Sequence, residues 1–292
     1  MSDFKFSVNT NALKSKYSVQ EIAELCARTG AEGIEWGLSG LDNAAADAKA
    51  MRQASKDTGM EVMGFLNAGR LWETDNIRKW SEAVAGTPGI TLRVAHPWFA
   101  FSFNEALHQR ESFLQLVSRA RKGLENLIPL AREYGIKYVL ELHSGSIAAS
   151  PWAIRELMKD LPPECVGAIY DPANTTMEGF VRPSGACDLM GAHMAYVHAK
   201  NICFVPAGTT TEIAFPRRMQ WRYEKALLDR GMTDFVEVFF ALKNCGYKGW
   251  ISLEEFIGPD VEREIADGIK FLKECAAAAP STVMEPFSTF ND

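Results

Sequence analysis

The chain has 292 residues, 47% of them hydrophobic and 23% charged, with a net charge of −6 and a pI near 5.5. This is enough apolar material for one full core, and one large α/β barrel fits it better than two small domains. The acidic balance gives no general attraction to phosphate backbones, so no nucleic-acid partner is expected.

No apolar stretch reaches the length of a membrane span, so no membrane partner is expected. The opening residues MSDFKFSVNT lack the basic-then-apolar pattern of a secretion signal. The six cysteines (Cys26, Cys165, Cys187, Cys203, Cys245 and Cys275) contain no CxxC pair. These features predict a cytoplasmic protein whose thiols are reduced and packed as small apolar groups.

In chain order, the first predicted strand covers 4–9. Ser18 and Glu21 then form a capping-box pattern that opens the helix VQEIAELCARTG, which Gly30 stops. Strands follow at 33–36, 61–66 and 91–95, and a long helical pattern at 104–134 is closed by Gly135. After a strand at 137–143, Ser150 and Pro151 supply an N-cap and a first-turn proline for WAIRELMKDL. Strands at 167–171 and 194–198 come next. Asp234 and Glu237 repeat the capping spacing before FFALKNCG, which Gly246 ends, and the eighth strand is 250–254.

Strands separated by helices in this rhythm predict a parallel sheet. Eight such units in one chain predict a closed (β/α)8 TIM barrel, a single domain over 1–292 with 280–292 as a C-terminal extension. A doubly wound sheet would place a glycine-rich phosphate loop after the first strand, and SVNTNALKSKYS has no glycine. Two connections are longer than the repeat needs. These are 96–103 and 201–233, and the second is expected to form a substrate-covering loop.

Four strands end by pointing a metal-type side chain at the same rim: Glu141, Asp171, His198 and Glu254. The first three are 30 and 27 residues apart, one βα unit each. Strand alternation places His143 on the face of Glu141, Lys200 and Tyr196 on the face of His198, and Ser252 on the face of Glu254. One imidazole with three carboxylates suits Mn²⁺ or Mg²⁺ better than structural zinc, with Co²⁺ or Zn²⁺ as alternatives. Singly, Asp171 reads as an Asp-Pro turn and His198 as a buried backbone-bonded histidine; together the four read as ligands. An inward Glu254 without a cation would be costly.

Other polar residues have two readings each. Glu35 either orients a substrate hydroxyl or bonds to amides at the barrel bottom. His96 is either a substrate contact at the fourth strand end or a packed His-Pro turn. Arg217, Arg218 and Arg222 either bind a phosphate or carboxylate or form a solvated face.

The motifs ELH (Glu141, His143), YDPANT (Asp171, Asn174), VHAKN (His198, Lys200), GYKGWISLEEF (Glu254) and GIEWG (Glu35) resemble, in order and spacing, those of the xylose isomerase-like TIM barrel superfamily, in particular its sugar (phosphate) isomerase/epimerase branch. The resemblance covers most of the barrel. It implies that Glu141, Asp171, His198 and Glu254 hold one divalent ion and that Glu141 and Glu254 also move protons. One glutamate would remove the proton beside a carbonyl to give an enediolate.

The chain departs from the pattern at Asn174, where several epimerases carry histidine, and at Asn201, where many relatives carry aspartate. Both are substrate-facing positions in that pattern, which also implies substrate contacts from His143 and Lys200, so the family's sugar specificity is not carried over. With five histidines the chain also departs from endonuclease IV and its histidine-rich zinc cluster. The expectation is a metal-dependent isomerase or epimerase acting on a sugar or polyol. A lyase on the same scaffold (inosose or dehydroshikimate dehydration, or C-glycoside cleavage) and a non-catalytic carbohydrate-binding barrel are the alternatives. A homo-oligomer, dimer or tetramer, is expected.

Overall fold

The computed structural model describes residues 4–87, 89–95, 97–99, 110–210, 218–254 and 258–281. Eight parallel strands form a closed ring: β1 (Lys5–Asn9), β2 (Gly33–Gly37), β3 (Glu61–Leu66), β4 (Thr91–Arg93), β5 (Lys137–Glu141), β6 (Val166–Tyr170), β7 (Met194–Ala199) and β10 (Trp250–Leu253). β1 pairs with both β2 and β10, which closes the barrel. Around it lie α1 (Val19–Arg28), α2 (Ala44–Asp57), α3 (Thr74–Val84), α4 (Phe113–Tyr134), α5 (Pro151–Met158), α6 (Pro172–Met177), α7 (Pro183–Met190), α8 (Phe235–Asn244) and α9 (Val261–Ala278). This is a single-domain (β/α)8 barrel. Among the described residues no helix is long and apolar enough to cross a membrane.

The caps act where the sequence places them. Ser18 Oγ accepts the Glu21 N–H while the Glu21 carboxylate accepts the Ser18 N–H at 2.8 Å. Ser150 caps α5 with Pro151 in its first turn. Asp234 caps α8, but Glu237 turns outward to Arg182 rather than completing a box. The helix expected over 104–134 begins at Phe113, where Ser112 and Gln115 make a second capping box; 104–109 lie outside the described residues. Gly135 ends it at φ +66, a left-handed conformation that a side chain would strain.

Alternation sorts the strand residues into two cores. Outward side chains such as Phe6, Val8, Ile34, Trp36, Leu140 and Leu253 join the helices in the main core, each adding roughly 1.5–3 kcal/mol by burial. Inside the barrel, Met63, Val139, Ile169 and Tyr196 form a separate small apolar layer, with Trp250 packed against it. Gly33 makes room there, since a Cβ would stand 2.6 Å from the Trp250 ring. Above this layer the inward positions turn polar. The barrel floor is thus largely apolar, and the polar groups gather at its mouth.

The connection expected to be a covering loop over 201–233 is largely an antiparallel ribbon, β8 (Asn201–Thr210) with β9 (Arg218–Ala226); its tip, 211–217, lies outside the described residues. Pairing satisfies the backbone of a long segment without burying it. The register shifts between Pro206 and Gly208, where proline has no N–H to give. The cysteines form no disulfide, though Cys245 is exposed and Cys203 half-buried rather than packed inside.

Candidate active site and metal centre

Each of the four rim residues is placed by its strand. Glu141 is the last residue of β5 and His198 the penultimate residue of β7. Asp171 stands one residue past β6 and caps α6; Oδ1 accepts the Asn174 N–H at 2.9 Å, so Oδ2 is left for the cluster. Glu254 stands one residue past β10, and its N–H donates to Ala199 O at 3.0 Å, which holds the strand end against β7. One ligand atom from each of the four lies within 4.8 Å of all the others.

His198 is oriented by both ring nitrogens. Nδ1 faces Glu141 Oε1 at 3.3 Å and Glu254 Oε2 at 3.2 Å, and Nε2 faces the Glu35 carboxylate at 3.1 and 3.2 Å. Glu35 also accepts from Ser252 Oγ at 2.6 Å and from the Tyr196 hydroxyl. Fully buried, it is committed beneath the histidine rather than presented to a substrate hydroxyl, and its partners are side chains rather than barrel-bottom amides. A carboxylate on the far nitrogen of a ligand histidine fixes the ring and raises its basicity.

The carboxylates are balanced by buried cations. Lys200 Nζ lies 2.8 Å from Asp171 Oδ2, 3.0 Å from Glu254 Oε2 and 3.8 Å from Glu141 Oε1. Arg93 Nη2 lies 2.7 Å from Glu141 Oε2. Burial alone would raise Glu141, but Arg93, His198 and Lys200 outweigh it and hold the carboxyl well below its ordinary range. Burial likewise opposes Lys200 and His198 at Glu254, and the cations win, bringing it to about 2. Asp171 goes the other way. Burial, reinforced by Glu141 and Glu254, overcomes Lys200 and raises it to about 7. Burial would lower His198, yet Glu35, Glu254 and Glu141 raise it well above the ordinary histidine value.

This set fits a divalent ion. The cluster already gathers a cation, the Lys200 ammonium, at hydrogen-bond distance from two of the four candidate ligands. The buried Asn174 Oδ1 and Arg93 Nε have no hydrogen-bond partner among the described residues. Three carboxylates and an imidazole are a donor set for Mg²⁺, Mn²⁺ or an open zinc site.

A cavity of about 280 Å³ opens over the cluster, lined by Asn9, Arg93, Glu141, His143, Lys200 and Glu254 among others. His143 is seated at its wall by the Trp98 ring, edge-on at 5.0 Å, and burial lowers its pKa. Asn174, expected to face substrate, is buried below. Its amide donates to Asp171 Oδ2 at 2.7 Å, Glu141 Oε1 at 3.3 Å and Leu142 O at 2.9 Å, so it holds two candidate ligands in place. Arg222 is exposed on the ribbon and paired with Glu224 at 2.6 Å, away from the cavity. His96 lies outside the described residues, as does Arg217.

Five lining residues were missed by the sequence reading: Asn9, Asn11, Ala12, Arg93 and Lys225. Two carried a readable signal. Asn9 continues the inward face of Ser7 in β1, and Arg93 is a charge inside an apolar strand, two residues from inward Thr91. Lys225 carried none, because the sequence predicts a loop over 201–233 in place of the ribbon that delivers it.

Comparison with known proteins agrees with this architecture. Inosose dehydratase from Geobacillus kaustophilus (strain HTA426) is 28% identical over 147 residues, 48% of this chain and 45% of that protein; the matched part is thus less than half the length of that relative. Two solved structures align over nearly the whole chain. The apo form of the 3-keto-D-glucoside 4-epimerase YcjR from E. coli has a TM-score of 0.72 and 18% identity, with 93% of this chain and 100% of that one covered. The IOLI protein with a bound zinc atom has a TM-score of 0.72 and 16% identity, with 95% and 100% covered. The family model for the xylose isomerase-like TIM barrel matches residues 23–275. With that match over most of its length, the chain belongs to the xylose isomerase-like TIM barrel family.

Proposed function

We propose that the protein is a divalent-metal-dependent isomerase or epimerase that moves a proton at the carbon beside a carbonyl of a sugar or polyol, through an enediolate. One observation carries this reading: of the four clustered residues, Glu141 and Glu254 line the cavity, and they stand on strands separated by β6 and β7. Two carboxylates at different walls can serve the two faces of a planar intermediate. Glu141, Asp171, His198 and Glu254 would hold the ion. When bound, it would supply positive charge where oxyanion character develops. Mn²⁺ and Mg²⁺ suit the carboxylate-rich set, and the zinc in the similar IOLI structure makes Zn²⁺ an alternative.

The protein's own groups set the proton chemistry. Glu254 is ionised at neutral pH and can accept a proton. Its proton affinity is held down by Lys200 at 3.0 Å, so moving that ammonium onto a substrate oxygen strengthens the base. Arg93 keeps Glu141 ionised and faces the same cavity.

A lyase is the second reading, favoured by the 28% identity to an inosose dehydratase. Both reactions begin with the same proton removal and differ in whether a hydroxyl then leaves. A panel of ketoses and inososes, incubated with Mn²⁺-loaded protein in D₂O and followed by NMR, separates them. Epimerisation returns deuterium to the product carbon, whereas dehydration gives an enone absorbance. Glu254→Gln should fold normally and lose either signal; undiminished turnover in that variant rules out both readings.

A further inference from the structure

A second cavity adjoins the one over the cluster. It measures about 610 Å³, more than twice the volume of the first, and Lys200 and Lys225 line both. Its walls come from the end of β9 and the segment following it, from β10 and from α9, and their large apolar side chains are Leu227, Leu228, Leu253 and Phe271. Leu227 is 40% exposed, a large apolar side chain held open to solvent at the lip. Gly268 on the facing helix leaves space where a Cβ would stand 2.9 Å from Leu253 and 3.6 Å from Leu228.

The charged groups around this crevice are largely committed to one another. Asp229 pairs with Arg230 at 3.9 Å, Arg263 pairs with Asp267 at 3.5 Å, and Asp260 accepts the Arg263 N–H as the cap of α9. The rim therefore offers little net charge to a phosphate or carboxylate. Its distinguishing surface is the leucine and phenylalanine wall. A pocket with an apolar wall beside a few convergent polar groups is built for a ligand with an apolar part and a polar part.

We propose that the substrate is longer than one sugar ring: its polyol portion lies over the Glu141, Asp171, His198 and Glu254 cluster, and an uncharged apolar substituent, of the kind an aryl glycoside carries, lies in the adjoining crevice against Leu227, Leu228, Leu253 and Phe271. This rests on the reading of the cluster as the polyol site. Lys225 and Lys200 stand where the two cavities meet, so a glycosidic linkage would pass between them. Trp221 and Tyr223 alternate with Lys225 on one face of β9 and are exposed, which extends the apolar surface from that junction.

Calorimetric titration of the Mn²⁺-loaded protein with 4-nitrophenyl and methyl glucopyranosides, in both anomers, tests this. The aryl compound should bind about tenfold or more tighter than its methyl counterpart. Leu227→Asp, at an exposed lip position, should bring the two within about twofold while leaving Mn²⁺ affinity unchanged. Equal affinities in the unmodified protein, an aryl preference that survives Leu227→Asp, or no binding of either compound would each overturn the proposal. Mn²⁺ titration without sugar reads the cluster separately. Tight Mn²⁺ binding with no aryl preference removes the crevice alone, whereas absent Mn²⁺ binding removes the metal reading.

Discussion

Arg93 and Glu141 form an ion pair of 2.7 Å inside the barrel mouth, with side chains 8% and 1% exposed. Neither charge has bulk water to turn to, so each depends on the other. Arg93→Met should destabilise the ion-free protein by about 3–5 kcal/mol, measured by urea unfolding, and Glu141 should then titrate at higher pH. Arg93→Lys keeps the charge but loses the planar fork, and should recover only part of that loss.

The contact between Glu35 and His198 Nε2 predicts an effect on metal binding without any of the four candidate ligands being changed. Glu35→Gln should weaken Mn²⁺ binding by roughly 10- to 100-fold, read by calorimetry, with unchanged far-UV circular dichroism. Ser252→Ala, which removes one donor to Glu35, should act in the same direction and more weakly.

Lys200 and a bound ion would compete for the same carboxylates. Lys200→Met should therefore lower the melting temperature of the ion-free protein, because Asp171 and Glu254 lose their nearest cation. Mn²⁺ at a hundredfold excess over its dissociation constant adds about 2.7 kcal/mol to any protein that binds it only when folded. At one fixed Mn²⁺ concentration the gain in melting temperature should be larger in Lys200→Met than in the unmodified chain.

Ion binding should release protons. Without an ion, His198 is held protonated by its carboxylates and Asp171 has been raised to about 7. Protons compete with the ion at both, so affinity should increase with pH. Calorimetry in buffers of different ionisation enthalpy should show proton release on binding, larger at a pH below 7 than well above it, where Asp171 is already ionised. The stability sign is the opposite for Asp171. A carboxyl raised in the folded state favours the fold below its unfolded value near 4, and loses that contribution as pH rises through about 7.

The sequence by itself determined the eight staves and the rim residues that face inward, because strand alternation and βα rhythm are local properties of the chain. It also located the capping serines of α1 and α5, whose bonds reach only three residues. The carboxylate cluster was legible because Glu141, Asp171, His198 and Glu254 each sit at or just past a strand end, and barrel closure brings those ends together.

What only the tertiary structure decided is which neighbours each inward group meets. Glu35 lies 163 residues from His198 in the chain, and Arg93 lies 48 residues from Glu141, so no local pattern predicts that one positions the imidazole and the other balances the carboxylate. The same holds for Asn174, which turned toward Asp171 and Glu141, for the ribbon, whose strands stabilise each other only when paired, and for Lys225 at the meeting of two cavities. Charges inside a barrel are settled by distance through a low-dielectric space, and those distances exist only once the ring has closed.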